Sequence, residues 1–279
     1  MRALVLGAGG QLGTELVRLV GAGGAVPHTE LSITDGDAVD RLIAERQPEV
    51  VFNCAAYNAV DRAEVEREEA FAVNADGPRN IALACRRHGA ELVHFSTNFV
   101  FDGKHDKPYL EADEPAPLSV YGASKLEGER RVLAAGAHVL VVRTAAVFGG
   151  RRGFPTRILE LAREGAHLRV VADQRINPTF ARDLAAAAVE LAEQGTAGIV
   201  HAVNEGCCGW DELARAVLSE SGIDRPVESI PTPANSGAAR PRNGCLASTR
   251  FRSLRPWREA LHEAVNPQER LGPPKRLGP

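Results

Sequence analysis

Four short apolar runs recur along the first half of the chain, each followed by a turn and a helical pattern. Residues 2–6 are continuously apolar, as in a strand buried on both faces of a parallel sheet. A helical pattern through Leu16, Val17 and Val20 follows, and residues 36–46 form a second one. The run Val50-Val51-Phe52-Asn53 is a short buried strand. A charged segment from Asp61 to Glu69 then opens a helix that runs past Asn74 to Arg86. Glu91-Leu92-Val93-His94-Phe95 is the next strand, residues around Tyr121 are helical, and 138–142 is another strand. Strand and helix alternate throughout, which predicts α/β architecture with a right-handed, doubly wound (Rossmann) parallel sheet.

Beyond Gly149 the rhythm loosens and glycine, proline and arginine increase. Helices are predicted at 155–164, 183–193, 210–221 and 257–265, with strands at 168–171, 198–203 and 227–230. The division predicted is a nucleotide-binding domain over 1–149 and a smaller substrate domain over 150–267, some of whose segments return to the large domain. Residues 268–279 read as a disordered Gly/Pro-rich tail.

The chemistry concentrates where strands end. Gly7-Ala8-Gly9-Gly10-Gln11-Leu12-Gly13 lies between the first strand and its helix. Glycines there let the backbone approach a pyrophosphate, whose charge suits a helix N-terminus. The spacing is Gly7-x-x-Gly10-x-x-Gly13 rather than the commoner G-x-G-x-x-G, so its position matters more than its letters. No carboxylate directly follows an apolar second strand: Glu30 and Asp35 are the nearest, in 28–35. NADH and NADPH therefore both remain open, with a lean to NADPH. Small residues Cys54-Ala55-Ala56 leave room for a flat cofactor, and Ser96-Thr97 present hydroxyls to the same crevice.

Tyr121 and Lys125 stand four apart on one helical face, in a chain with three tyrosines and four lysines. As a surface pair they would contribute a few tenths of a kcal/mol at most. As chemistry, a nearby ammonium lowers the phenol from its usual pKa near 10, and the phenol exchanges a proton with a substrate oxygen.

Composition narrows the partners. The chain has 279 residues and a formal net charge of -3, which gives no footprint for nucleic acid or an anionic membrane. No run approaches eighteen apolar residues and no signal peptide is evident, so a cytoplasmic protein is expected. The five cysteines show no paired zinc spacing and read as free thiols.

Taken together, the constellation resembles the extended short-chain dehydrogenase/reductase family, in the branch that reduces nucleotide-linked 4-keto-6-deoxy sugars. The motifs that carry the likeness span nearly the whole chain. They are the glycine loop with Gln11, the segment Asn53 to Glu64, Ser96-Thr97-x-x-Val100-Phe101-Asp102-Gly103, Tyr121-Gly122-x-Ser124-Lys125-x-x-Gly128-Glu129, Arg143-Thr144, Asn177-Pro178-Thr179 and Arg240-Pro241-Arg242-Asn243. The resemblance implies hydride transfer from NADPH (or NADH) to C4 of a dTDP-type keto sugar, in deoxysugar biosynthesis. Tyr121 would protonate the alkoxide, Lys125 would tune Tyr121 and hold the nicotinamide ribose, and Thr97 would bond the carbonyl oxygen. It implies cofactor contacts at Gly7, Gly10, Gln11, Leu12, Gly13, Ser32, Ile33, Ala55, Ala56, Tyr57 and Lys125. Substrate contacts are implied at Val60, Asn98, Phe99, Tyr121, Ala146 and Arg240. Asn74 would support the site or simply bond locally.

Two departures stand out. The family usually has Asp-Tyr where this chain has Asn98-Phe99, and Ser-Trp where it has Ala145-Ala146. An altered sugar pocket is therefore expected, with a substrate other than the usual rhamnose precursor or one bound differently. Asn98-Phe99 lacks the acid pair of the family's dehydratases. A nucleotide-sugar 4-epimerase and a non-catalytic NADP-binding regulatory subunit remain as alternatives. Some relatives dimerise around a divalent ion near the position of Glu15. A solvent-facing helix glutamate explains Glu15 as well, so no metal is expected, while a homodimer is compatible with the likeness.

Overall fold

The structure, a computed structural model, describes residues 1–136, 138–150, 153–234 and 237–266. The tail expected to be disordered lies outside the described residues.

Strands β1 (Ala3–Leu6), β2 (Ala25–Val26), β3 (Val50–Asn53), β4 (Glu91–Thr97) and β5 (Val139–Thr144) follow one another in the first half. Around them wrap helices α1 (Gln11–Val20), α2 (Gly36–Arg46), α3 (Arg67–Phe71), α4 (Gly77–His88) and α5 (Val120–Ala134). The second half contributes β6 (Val147–Phe148), α6 (Phe154–Arg163), β7 (Leu168–Val171), β8 (Arg175–Ile176), β9 (Thr179–Phe180) and α7 (Ala181–Glu193). It continues with β10 (Gly198–His201), α8 (Trp210–Glu220) and α9 (Trp257–Val265).

The main sheet runs β10-β5-β4-β3-β1-β2, parallel at every pairing. Strand order reverses between β1 and β3, and in open α/β sheets ligands bind in the crevice outside such a switch point. Two cores sandwich the sheet. Leu4, Leu6, Val51 and Leu92 face α2 and α4, while Val5, Phe52, Val93 and Val142 face α7. Successive strand residues point to opposite faces, so uninterrupted apolar runs satisfy both cores at once.

Helix ends follow local chemistry. The Asp35 carboxylate accepts the Ala38 amide at 2.9 Å to start α2, and the Ser119 hydroxyl accepts the Gly122 amide at 3.1 Å to start α5. The single helix expected from 61 to 86 does not form. Residues Arg62–Glu64 make a 3₁₀ turn, α3 is five residues long, and Ala72–Asp76 widens into a π-turn before α4. Pro78 has no amide hydrogen for the Asn74 carbonyl four residues back, so the regular ladder fails there. The displaced carbonyl faces α5 at Gly128, where a Cβ would stand 2.1 Å from it.

A separate core gathers Phe148, Ile158, Leu168, Phe180, Leu213, Val217, Trp257 and Leu261. It is built from small parallel and antiparallel pairs: β6 with β9, β7 with Val227–Ile230, and β8 with Cys208–Gly209. The expectation of five free thiols is corrected here. Cys207 and Cys245 form a disulfide across 38 residues, and Cys54, Cys85 and Cys208 are free. No sequence spacing marks that pair, because the fold alone brings the two Cα atoms to 6.1 Å. Among the described residues, no helix is long and apolar enough to cross a membrane.

Candidate active site

A cleft of about 350 Å³ opens beyond the carboxyl ends of β1, β3, β4 and β5. Its first wall is the glycine loop. Gly7 has a φ of 76°, and a Cβ there would stand 2.7 Å from the Ala55 nitrogen. A Cβ on Gly13 would stand 2.4 Å from the Gly7 carbonyl oxygen. Only glycine lets the turn fold this tightly against β3. Gly10 precedes α1 with no side-chain cap bond, and the first turn of α1 carries no acidic residue. Its amides stay available to an anion, in the field of the helix N-terminus.

The opposite wall is α5. Tyr121 is 8% exposed and Lys125 3% exposed, and both line the cleft with Thr97. The Tyr121 hydroxyl reaches Asn58 Oδ1 at 3.4 Å, and its ring meets Phe99 edge-on at 5.4 Å. Burial pushes the Tyr121 phenol up to about 12, partly opposed by a hydrogen bond with Thr97. The expectation that Lys125 lowers this phenol is therefore corrected. The Lys125 ammonium instead donates to the Phe95 carbonyl at 2.7 Å, and burial lowers it to about 8 against the pull of Glu129 and Cys54. A phenol near 12 stays protonated at neutral pH, the state a proton donor to an alkoxide needs.

Behind these residues lies a polar brace. Asn74, fully buried on the π-turn, accepts the Tyr57 amide at 2.9 Å and donates to the Tyr57 carbonyl and the Ser124 hydroxyl, each at 3.0 Å. It joins the Cys54–Tyr57 loop to the helix of Tyr121. Glu129, one turn beyond Lys125, takes a bidentate pair from Arg143 at 2.9 and 2.6 Å and the Ser96 hydroxyl. The Arg143 guanidinium also lies 5.1 Å from the Phe101 ring.

Gly10, Gln11, Leu12, Gly13, Ala55, Ala56, Val60, Thr97, Asn98, Phe99, Tyr121, Lys125 and Ala146 all line this one cleft. Gly7 supports it from beneath. Ser32, Ile33, Tyr57 and Arg240 do not line it. Ile33 is buried against Gly77 of α4, and the exposed Ser32 hydroxyl pairs with Thr34 at 2.8 Å. The Tyr57 hydroxyl donates to Glu66. Arg240 grips Asp61 with two 2.9 Å contacts. Glu15 is 8% exposed and pairs with Arg18 at 2.6 Å, so the solvent-facing reading of it is corrected.

The cleft also holds Cys54, expected to leave room for the cofactor, and residues given no site role from the sequence, notably Asn58, Thr144 and Val147. Asn58 sits inside a motif already singled out; Val147 carries no sequence signal. Ala146 has a φ of 42°, a left-handed backbone in the wall itself. Next to the cleft lies a second hollow of about 470 Å³, reached across Asn98 and Phe99. Phe154 and Trp210 floor it with ring centroids 4.7 Å apart, and Arg157, Arg169 and Arg240 border it.

A glycine-lined switch point facing a buried Tyr-x-x-x-Lys pair and a threonine hydroxyl defines the short-chain dehydrogenase/reductase class. The model of the RmlD substrate binding domain matches residues 1–270, and the chain belongs to that family. It is similar to the dTDP-4-dehydrorhamnose reductase of Mycobacterium tuberculosis, 43% identical over 95% of this chain and 92% of the relative. It is also similar to a Streptomyces antibioticus protein named "Probable dTDP-4,6-dihydroxy-2-methyloxan-3-one 4-ketoreductase", 40% identical over 95% of this chain and 94% of that one. Among solved structures, the Bacillus anthracis dTDP-4-dehydrorhamnose reductase in complex with NADP aligns with a TM-score of 0.90 at 33% identity, over 94% of this chain and 97% of that one.

Proposed function

We propose that this protein is an NAD(P)H-dependent reductase of the 4-keto group of a dTDP-linked 6-deoxy sugar, with NADPH as the preferred cofactor. The observation that carries the reading is the meeting of Tyr121, Lys125 and Thr97 with the glycine loop in one cleft. The similarity to reductases named for such sugars supports it.

The residues fit a dinucleotide. The Gly7 and Gly13 contacts leave no room for side chains, and the uncapped start of α1 suits a pyrophosphate. Gly10 to Gly13, Ala55 and Ala56 would hold it, with Lys125 toward the ribose. The bound cofactor supplies the hydride. The chain supplies the rest. Thr97 bonds the carbonyl oxygen of the sugar, and Tyr121 delivers its phenolic proton to that oxygen as negative charge builds there. Asn58 steadies the Tyr121 hydroxyl. Together, hydride and proton convert ketone to alcohol. We place the substrate side in the region after residue 150, where the aromatic floor and bordering arginines of the second hollow suit a base and a diphosphate.

Ala146 and Phe99 replace larger or hydroxyl-bearing contacts expected from the family, so the sugar preferred is not the usual rhamnose precursor. The test is a panel of dTDP-4-keto-6-deoxy sugars with NADPH oxidation followed by absorbance. Best turnover on the rhamnose precursor would refute the altered preference. Binding of NADPH with no oxidation on any sugar would favour a regulatory subunit instead.

A further inference from the structure

We propose that Asn98 is a positioning residue that orients the Thr97 hydroxyl while tying the segment 240–247 to the reaction cleft, and that the position requires an amide rather than a carboxylate. The proposal rests on the ketoreductase reading above.

Asn98 begins the turn after β4 and is 3% exposed. Its Nδ2 donates to the Gly244 carbonyl at 2.9 Å, across 146 residues of chain. Its Oδ1 accepts from the Thr97 hydroxyl at 3.3 Å. Thr97 Oγ1 in turn accepts the Phe99 amide at 3.2 Å. A carbonyl can only accept, so the Gly244 contact fixes which end of the amide is which. The oxygen is thereby left facing Thr97 and, at 3.3 Å, holds its one hydroxyl proton only weakly, so that a bound ketone can draw that proton to its own oxygen, which a carboxylate would resist. Gly244 is pressed onto this group, since a Cβ there would stand 2.2 Å from Nδ2.

The segment that bears Gly244 has little regular structure of its own. Arg240 holds Asp61, Asn243 donates to the His105 carbonyl at 2.7 Å, and Leu246 donates to Asn177 Oδ1 at 2.7 Å. Asn98 is where this anchoring reaches the reacting threonine. It also stands in the walls of both hollows. A substrate that spans them crosses this side chain.

The family resemblance puts an aspartate at this position. An ionised carboxylate here would have no proton for the Gly244 carbonyl and would set charge beside the oxygen that becomes an alkoxide. A protonated carboxyl would restore both bonds, donating to Gly244 and accepting from Thr97. The groups that share a hollow with Asn98 are Cys54, Tyr121 and Lys125 on one side and Arg157, Arg169 and Arg240 on the other. The three arginines are engaged by Glu160, Glu228 and Asp61, so burial and the Gly244 carbonyl dominate and raise the carboxyl of an Asn98→Asp variant.

The test compares wild type, Asn98→Asp and Asn98→Leu from about pH 5 to about pH 8, a window that spans an elevated carboxyl. In Asn98→Asp, kcat is expected to fall about 10–100-fold at the alkaline end and to recover toward wild type at the acid end, with the KM for NADPH unchanged. Asn98→Leu should lose activity at every pH without recovery. Lys125 titrates in both proteins, so the ratio of the two profiles is what is read. A second measurement needs no substrate. The carboxyl is raised in the folded state, so its stability contribution is present at low pH and lost as pH rises through the folded value. The Tm deficit of Asn98→Asp should therefore widen from acid to alkaline pH. A constant deficit, or none, overturns the proposal even if no sugar tested proves to be a substrate. Parallel rate profiles on an active wild type overturn it while leaving the ketoreductase reading intact.

Discussion

The two halves of the molecule are stabilised by different kinds of contact. In the sheet half, neighbours in space are neighbours in a repeating pattern, and β1, β3, β4 and β5 pair through parallel registers four to six residues long whose residues are mostly apolar on both faces. In the second half, outside the main sheet, β7 pairs with Val227–Ile230 over four residues, the other paired strands are two or three residues long, and single side chains do much of the tying. Arg240 reaches Asp61 across 179 residues. On the proposed function, the difference separates where chemistry is kept from where selectivity is set. The groups proposed to transfer the proton stand on regular elements, Thr97 at the end of β4 and Tyr121 and Lys125 on α5, where packing fixes them. Groups facing the second hollow come from many scattered segments, which can change without disturbing the sheet.

The largest effect should come from the regular half. Tyr121→Phe keeps the ring and its packing against Phe99 but removes the proton. NADPH oxidation is expected to fall by about 10²–10⁴-fold, while cofactor binding, read by fluorescence, stays unchanged. Loss of binding along with activity would show that the helix, rather than the phenol, had been damaged. Next comes the brace beneath it. Glu129 and Arg143 side chains are each 2% exposed, so Glu129→Ala strands a buried guanidinium. Such a break costs about 3–5 kcal/mol, measurable by denaturant unfolding. A cost under about 1 kcal/mol would mean that the pair is solvated and the brace is not structural.

The contrast also explains what the sequence disclosed. Apolar runs with period-free burial announced β1, β3, β4 and β5, and the glycine turn announced the crevice, because both signals are local. The trio proposed to react, Thr97, Tyr121 and Lys125, was legible for the same reason: each member lies in a motif a few residues long. What stayed hidden was non-local. Ser32, Ile33 and Tyr57 lie near the motifs in sequence, yet β2 ends after two residues and the chain that follows turns Ile33 into the core. Nothing within five residues of Cys207 or Cys245 foretells their bond. The phenol's upward shift was missed because spacing gives the nearness of Lys125 but not its burial or its commitment to Phe95.

The second half should be weakened when the ties that hold it are cut. Cys207→Ser removes a bridge closing 38 residues and is expected to cost about 2–4 kcal/mol, read by non-reducing denaturation. Glu111 is a second tie. Burial alone would raise its carboxyl, but bonds from the Ser248 hydroxyl and the His201 and Thr249 amides hold it down to about 2. A depressed carboxyl stabilises the fold above its unfolded value near 4.5, and that stability drains away as pH falls toward 2. Glu111→Gln should flatten this acid limb and leave neutral-pH behaviour of the sheet half alone. An unchanged acid limb would assign acid sensitivity elsewhere.

The smallest effect gives the sharpest comparison, because one backbone feature occurs in both regions. Gln47 and Ala146 have φ values of 45° and 42°, in the left-handed region that side chains disfavour. Gln47 ends α2 on the surface, where the twist serves only as a helix stop. Gln47→Gly should therefore stabilise by about 0.5–1 kcal/mol, with kcat and KM untouched. Ala146 lines the cleft, and its carbonyl accepts the Thr179 amide at 3.2 Å, holding the start of β6 beside β9. Ala146→Gly should gain a similar increment yet raise the KM for the sugar, since the same freedom loosens the wall. Equal kinetics in the two glycine variants would show that the strain at Ala146 is a feature of the fold alone, with no part in holding the substrate.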